Sequence, residues 1–155
     1  MGTGATVFDP DQPGFQLHPE IEERRNKGWK SVVKQYGSVY ADTNLATWLR
    51  EQQVDTVTLT GYMTNNCVLA STVEAEGLGF NTEVLQDATG AINIANDIGF
   101  ADAKTVHTTL MTVLHSNWAA VATTAAWTEA LTAQQPLTGS DLGSSAIAGA
   151  QKAAQ

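Results

Sequence analysis

The segment 54–85 does most to limit what this chain can fold into. Residues 54–62 form an apolar run dense in Val, Thr and Leu, residue types that suit a pleated, half-buried surface. A short polar loop follows, and then a stretch from Cys67 to Leu78 reads as a helix that closes on Gly77 and Gly79. Residues 82–85 return to the strand pattern and lead to Asp87. Strand, helix and strand in this order predict a parallel pairing.

The alternation extends along the chain. Residues 29–34 (Trp-Lys-Ser-Val-Val-Lys) read as a short strand, and Asp42 or Thr43 caps a helix through about residue 53 with Leu45, Trp48 and Leu49 on one face. Residues 103–115 carry Val106, Leu110, Val113 and Leu114 at helical spacing. Residues 118–123 read as a last strand and 125–133 as a last helix. Residues 1–20, rich in Gly, Pro and Asp, read as loop, and from Pro136 onward Gly, Ser, Ala and Gln predict a flexible tail. The expected organisation is one α/β domain over residues 1–135, built as a three-layer doubly wound parallel sheet, followed by a tail at 136–155.

In such sheets ligands bind outside the carboxyl ends of the strands. Lys34, the 61–67 loop and Asp87 all fall at strand carboxyl ends in this reading. The topology thereby brings a lysine and the single cysteine, Cys67, to one edge. A thiol at the start of a helix meets backbone N–H donors and the positive end of the helix dipole, both of which favour the reactive thiolate. Cys67 is accordingly the candidate nucleophile and Lys34 its candidate cationic partner.

Composition narrows the function classes. Lys and Arg number 8 against 16 Asp and Glu, a formal net charge of −8 without a basic stripe, which argues against nucleic-acid binding. No apolar run approaches the roughly 20 residues needed to span a bilayer, and the N-terminus lacks a signal pattern. One cysteine gives neither an internal disulfide nor a CxxC pair, which fits a cytoplasmic setting. The three histidines share no metal-ligand spacing, so neither metal nor cofactor is assigned.

Residues 60–68 (Thr-Gly-Tyr-Met-Thr-Asn-Asn-Cys-Val) resemble the nucleophile loop of the isochorismatase-like cysteine hydrolases, a family that includes nicotinamidases and N-carbamoyl amide hydrolases. Residues 34–40 and 43–45 are similar to the family's lysine segment and the helix after it. Residues 86–89, Val106-His107 and 121–127 also fall in family-like places, and the resemblance runs from about Phe15 to about Leu131. It implies cleavage of a C–N bond of a small amide through a cysteine thioester. Cys67 would attack the carbonyl, Lys34 would hold the thiolate or a carboxylate partner, and the backbone N–H groups of Met63 and Cys67 would form the oxyanion hole. It also implies a cis peptide between Tyr62 and Met63 and a homo-oligomer. Tyr62, Tyr36 and Tyr40 flank the lysine segment and the nucleophile loop and are the candidate pocket-lining residues.

The resemblance further implies an aspartate at the end of a first, central, apolar strand, where it would take the thiol proton. No such strand precedes Lys34. Asp9 and Asp11, set among Pro and Gly, read as turn residues. The family's first two strands are expected to be missing, which would leave the strand at 56–61 with a bare edge. The chain then reads as an N-terminally truncated member: a shortened gene, a split gene or a half completed by a partner.

Other polar residues have structural readings. Asp87 suits a capping or turn-making role. His18 precedes Pro19 in a turn, His107 lies beside core positions on a helix, and His115 suits a helix C-terminus. Residues 22–25 form a solvated charge run, and Trp48 and Trp118 are expected in the core. Two functions compete with a hydrolase: a non-catalytic binding or assembly module, because the aspartate is absent, and a redox-sensing thiol, which ranks last for want of a resolving cysteine.

Overall fold

The fold is described by a computed structural model over residues 4–5 and 7–155. Its centre is a parallel sheet of three strands in the order β1-β2-β5, formed by β1 (Thr56–Tyr62), β2 (Asn81–Gly90) and β5 (Ala120–Ala122). The helix α3 (Leu69–Leu78) carries the chain from β1 to β2, and α4 (Ala103–His115) leads from β2 toward β5. The remaining helices are α1 (Pro19–Arg24), α2 (Leu45–Glu51), α5 (Thr124–Thr132) and α6 (Leu142–Ala153). A small antiparallel hairpin, β3 (Ile94–Asn96) and β4 (Gly99–Ala101), stands apart from the main sheet.

Period-two alternation divides the sheet into two faces. The register aligns Leu59, Val84 and Val121 in one row across the strands. These three pack with Val68, Met111, Leu114 and Ala119, so α4 seals this face. Thr58 and Glu83 form the row on the other face, where the Trp127 indole of α5 donates to both. A second apolar cluster joins Leu49 of α2, Ala75 of α3, Phe80 and Tyr40, with Leu45 and Trp48 packed against it.

Several local features follow from residue chemistry. Gly79 closes α3 at φ +81, a left-handed backbone that glycine adopts without penalty. Gly61 sits at φ +103, where the β1–β2 register jumps from the Leu59–Val84 pair to the Gly61–Thr89 pair. Asp102 and Thr123 cap α4 and α5 through their side-chain oxygens. Asp87 lies inside β2 and accepts from the backbone and hydroxyl of Thr124 at 2.7 and 2.9 Å, tying the sheet to the start of α5. These bonds lower its carboxyl below the usual carboxylate range.

The structure departs from expectation in several places. Residues 29–34 form no strand; Val33 is 78% exposed, because no neighbouring strand lies beside this segment to satisfy its backbone. Lys34 therefore sits on an irregular segment rather than at a strand end. Residues 19–24, the first two of them in the expected loop, form α1, with Pro19 in its first turn and His18 Nδ1 accepting from the Glu20 N–H. Positions 1–3 and 6 of that expected loop lie outside the described residues. The expected tail carries α6, because Asp141 caps it and alanine is the strongest helix former. On α4 the buried positions are Met111 and Leu114, while Val113 turns toward solvent. Cys67 precedes α3, lying in a π-type turn over Thr64–Val68 that runs directly into it.

The Asp9 carboxylate accepts from the Gly4 and Asp11 amides, as a turn residue does. Arg24 and Arg25 make exposed ion pairs with Glu20 and Glu22, so the charge run is a solvated face. β1 pairs with β2 alone among the described residues, and its other edge has no strand neighbour.

Tyr40, expected in the pocket, is instead 4% exposed and stacks on Phe80 at 5.8 Å between ring centres. Its hydroxyl has no hydrogen-bond partner among the described residues. Tyr40→Phe should therefore preserve or raise stability, whereas Tyr40→Ala should lose about 3–5 kcal/mol, as measured by urea unfolding. Burial, reinforced by Glu74, raises the Tyr40 phenol above its ordinary value of 10.0. The folded chain keeps this proton when the unfolded chain gives it up, so stability falls as pH rises above that value. Wild type should lose more stability than Tyr40→Phe across this alkaline range, and parallel curves would refute the assignment.

Candidate active site

Cys67 is half-buried in the turn between β1 and α3. The Tyr62–Met63 peptide that enters the turn is cis. The Met63 carbonyl accepts from the amides of Asn66 and Val68 at 3.2 and 3.3 Å, which curls the backbone around the thiol. Asn65 ties this loop to its surroundings: its Nδ2 lies 3.7 Å from Met63 Sδ, and its Oδ1 accepts from the Ile92 amide at 3.4 Å. Val68, at the end of the turn, is buried in the core against Val84 and Met111.

The lysine arrives from the other side. Ser71 of α3 accepts from the Val39 amide at 3.0 Å, and Ser38 Oγ accepts from the Tyr40 amide at 3.1 Å. Gly37 packs so closely that a Cβ there would meet Asn66 Oδ1 at 2.7 Å and the Ala70 Cβ at 3.3 Å. The Val39–Ser71 bond and the close approach at Gly37 fasten residues 37–40 to α3 and the turn. Lys34 is thereby carried over Cys67, and its Nζ donates to Sγ at 3.1 Å and to the Tyr36 carbonyl at 2.8 Å. An ammonium has three N–H donors, so one remains for a third acceptor.

Between the 8–37 segment and β1 lies a cleft of about 1390 Å³ that exposes Cys67 and Lys34. Its lining is largely apolar and aromatic and includes Phe15, Trp29, Val33, Leu59 and Tyr62. This exceeds the roughly 300–1,000 Å³ of a typical small-molecule pocket, so the cleft holds more room than one small ligand fills. Glu22 is the one carboxylate lining it among the described residues, and Glu22 pairs with Arg25. No carboxylate pairs with Lys34 among the described residues.

The sequence-derived candidates divide accordingly. Cys67 and Lys34 come together, and Tyr36 and Tyr62 line the same cleft at 57% and 60% exposure. Tyr40 does not, because its ring is taken up by the Phe80 stack. The amides of Met63 and Cys67 belong to the curled turn. His115 accepts from the Val121 amide at 3.0 Å and serves the sheet. His107 shares a hydrogen bond with Thr64 at 3.0 Å. Reading α4 alone missed that contact, because the partners lie 43 positions apart and no local pattern links them. Trp48 and Trp118 are half-buried and pack against the two clusters. Among the described residues no group of three or more His, Cys, Asp and Glu could hold a metal ion, and no helix is long and apolar enough to cross a membrane.

Comparison with known proteins agrees with this arrangement. The family described as "Isochorismatase domain" matches residues 2–126. The isochorismatase family protein YrdC of Bacillus subtilis is 31% identical over 121 residues, covering 77% of this chain and 63% of YrdC. The nicotinamidase of Escherichia coli is 29% identical over 91 residues, covering 52% of this chain and 43% of that enzyme. The chain thus spans less than two thirds of the length of either relative. A crystal structure of an isochorismatase-like protein from Burkholderia xenovorans superposes with a TM-score of 0.93 at 36% identity, covering 99% of this chain and 73% of that one. With a family match across most of its length and a shared parallel-sheet fold, this chain belongs to the isochorismatase family.

Proposed function

We propose that this chain is a cysteine hydrolase that cleaves an amide-type C–N bond of a small molecule through a thioester on Cys67. The observation that carries the proposal is the 3.1 Å contact between Lys34 Nζ and Cys67 Sγ, made across 33 positions of sequence and opening on the cleft. Family membership and the similarity to a nicotinamidase support the same chemistry.

In this reading Sγ attacks the substrate carbonyl, and the C–N bond breaks as a thioester forms. The proton given up by the thiol passes to the leaving nitrogen, and water then hydrolyses the thioester to the carboxylic acid and returns the thiol. The Lys34 ammonium holds the sulfur's negative charge through a charge-assisted hydrogen bond. The amides of Met63 and Cys67 are assigned to the carbonyl oxygen as it gains charge; each such donor is worth about 10²–10³ in rate. Tyr36 and Tyr62 offer rings against the substrate body. The pair supplies a nucleophile and a cation but no general base, whose contribution is typically about 10²–10⁴-fold. A homo-oligomer of this chain belongs to the same reading.

The test is thiol labelling followed by turnover of a small amide such as nicotinamide. Iodoacetamide should modify Cys67 at neutral pH faster than it modifies free cysteine, and Cys67→Ala should abolish turnover. Lys34→Met should slow labelling about 10- to 100-fold, as expected for a lost hydrogen bond to a charged group. Gly37→Ala should slow it as well, because the added methyl pushes the lysine segment off Asn66 and Ala70. Wild-type labelling no faster than free cysteine would overturn the nucleophile assignment.

A further inference from the structure

We infer that His107 is a positioning residue for the nucleophile turn, acting through Thr64; the inference rests on Cys67 being the nucleophile. Thr64 opens the π-type turn and is fully buried at 0% exposure. Its hydroxyl lies 3.0 Å from His107 Nδ1, a half-buried nitrogen on α4. The other end of the turn, Val68, is buried in the same apolar cluster as Met111, which stands one helical turn beyond His107 on the same face of α4. Both ends of the turn are thus held by neighbouring positions of a single helix, one by a hydrogen bond and one by apolar contact. Cys67 lies between these two anchors.

The two anchors differ in kind. Apolar contact at Val68 is non-directional and tolerates sliding. The hydrogen bond at Thr64 is directional and sets where the turn begins relative to α4. Leu114 of α4 is itself fully buried beside Val84, so the helix is a fixed reference for the turn. Without the His107 bond, Thr64 is a buried hydroxyl without its partner, and the turn can shift to seek another. The Met63–Asn66 and Met63–Val68 hydrogen bonds then loosen together, and Sγ leaves its place beside Lys34. A displacement of about 1 Å at a reacting atom can cost about 100-fold in rate.

The experiment uses Thr64→Val and His107→Leu, which remove the bond while keeping the volume apolar. Thr64→Ser and His107→Asn restore a hydroxyl and a nitrogen or oxygen near Nδ1. Two readouts are taken on the full chain: iodoacetamide labelling of Cys67, and amide hydrogen exchange. The first pair should label about 10- to 100-fold more slowly, with faster exchange at Asn66 and Val68 and unchanged exchange at Val84 and Leu85. The second pair should recover both. Wild-type labelling and protection in Thr64→Val and His107→Leu would overturn the inference. So would faster exchange spread evenly through Val84 and Leu85, which marks a merely structural loss. Slow labelling of the wild type itself would instead overturn the nucleophile reading, and exchange at Asn66 and Val68 would still decide whether His107 holds the turn.

Discussion

Val84 sits fully buried at the middle of the three-stranded sheet, with Leu59 on one side and Val121 on the other. This row is the surface on which Met111 and Leu114 of α4 pack. Everything around the thiol is measured from it. β1 ends at Tyr62, the chain curls through Thr64–Val68, and Val68 closes back onto the same cluster. A buried side chain of this size contributes about 1.5–3 kcal/mol when removed from water. The row therefore supplies both stability and the fixed origin from which the turn projects Cys67.

The second half of the site is joined to this frame by polar contacts. The segment carrying Lys34 has no strand to hold it, and Trp29 and Val33 remain largely exposed. Its attachment is the short stretch 37–40, which lies against α3 through a glycine without a side chain and a bond from the Val39 amide to Ser71 Oγ. One hydrogen bond to the Tyr36 carbonyl then orients the ammonium toward Sγ. The site thus combines a sulfur in a turn whose end is buried in the core with a lysine whose segment is held to α3 and that turn. The broad cleft beside it borders the edge of β1 that lacks a strand neighbour among the described residues.

Much of the framework was legible in the chain. The density of Val, Thr and Leu in residues 54–62, the glycine after α3 and the helical spacing in 103–115 correspond to β1, α3 and α4. Asp87 was readable as a structural acceptor, which its bonds to Thr124 show. Residues 29–34 misled because β-propensity describes a residue's fit to a sheet, and a strand forms only where a neighbour accepts its hydrogen bonds. Residues 142–153 misled in the opposite sense, since small residues resemble a linker until an aspartate caps them. The hairpin at residues 94–101 carries no long periodic run to announce it. Tyr40 looked like a pocket residue from its place near Lys34, but its ring found Phe80.

By itself the sequence determined the alternating elements, the single thiol and the lysine segment, because periodicity and residue type are local properties of the chain. It also carried the family resemblance, in the ordered motifs from the lysine segment through the nucleophile loop. Only the tertiary structure decided which of the candidates meet. Lys34 reaches Cys67, Tyr40 turns into the core, and His107 finds Thr64. Each of these outcomes joins residues distant in sequence, and such contacts depend on how the strands and helices pack rather than on any local pattern.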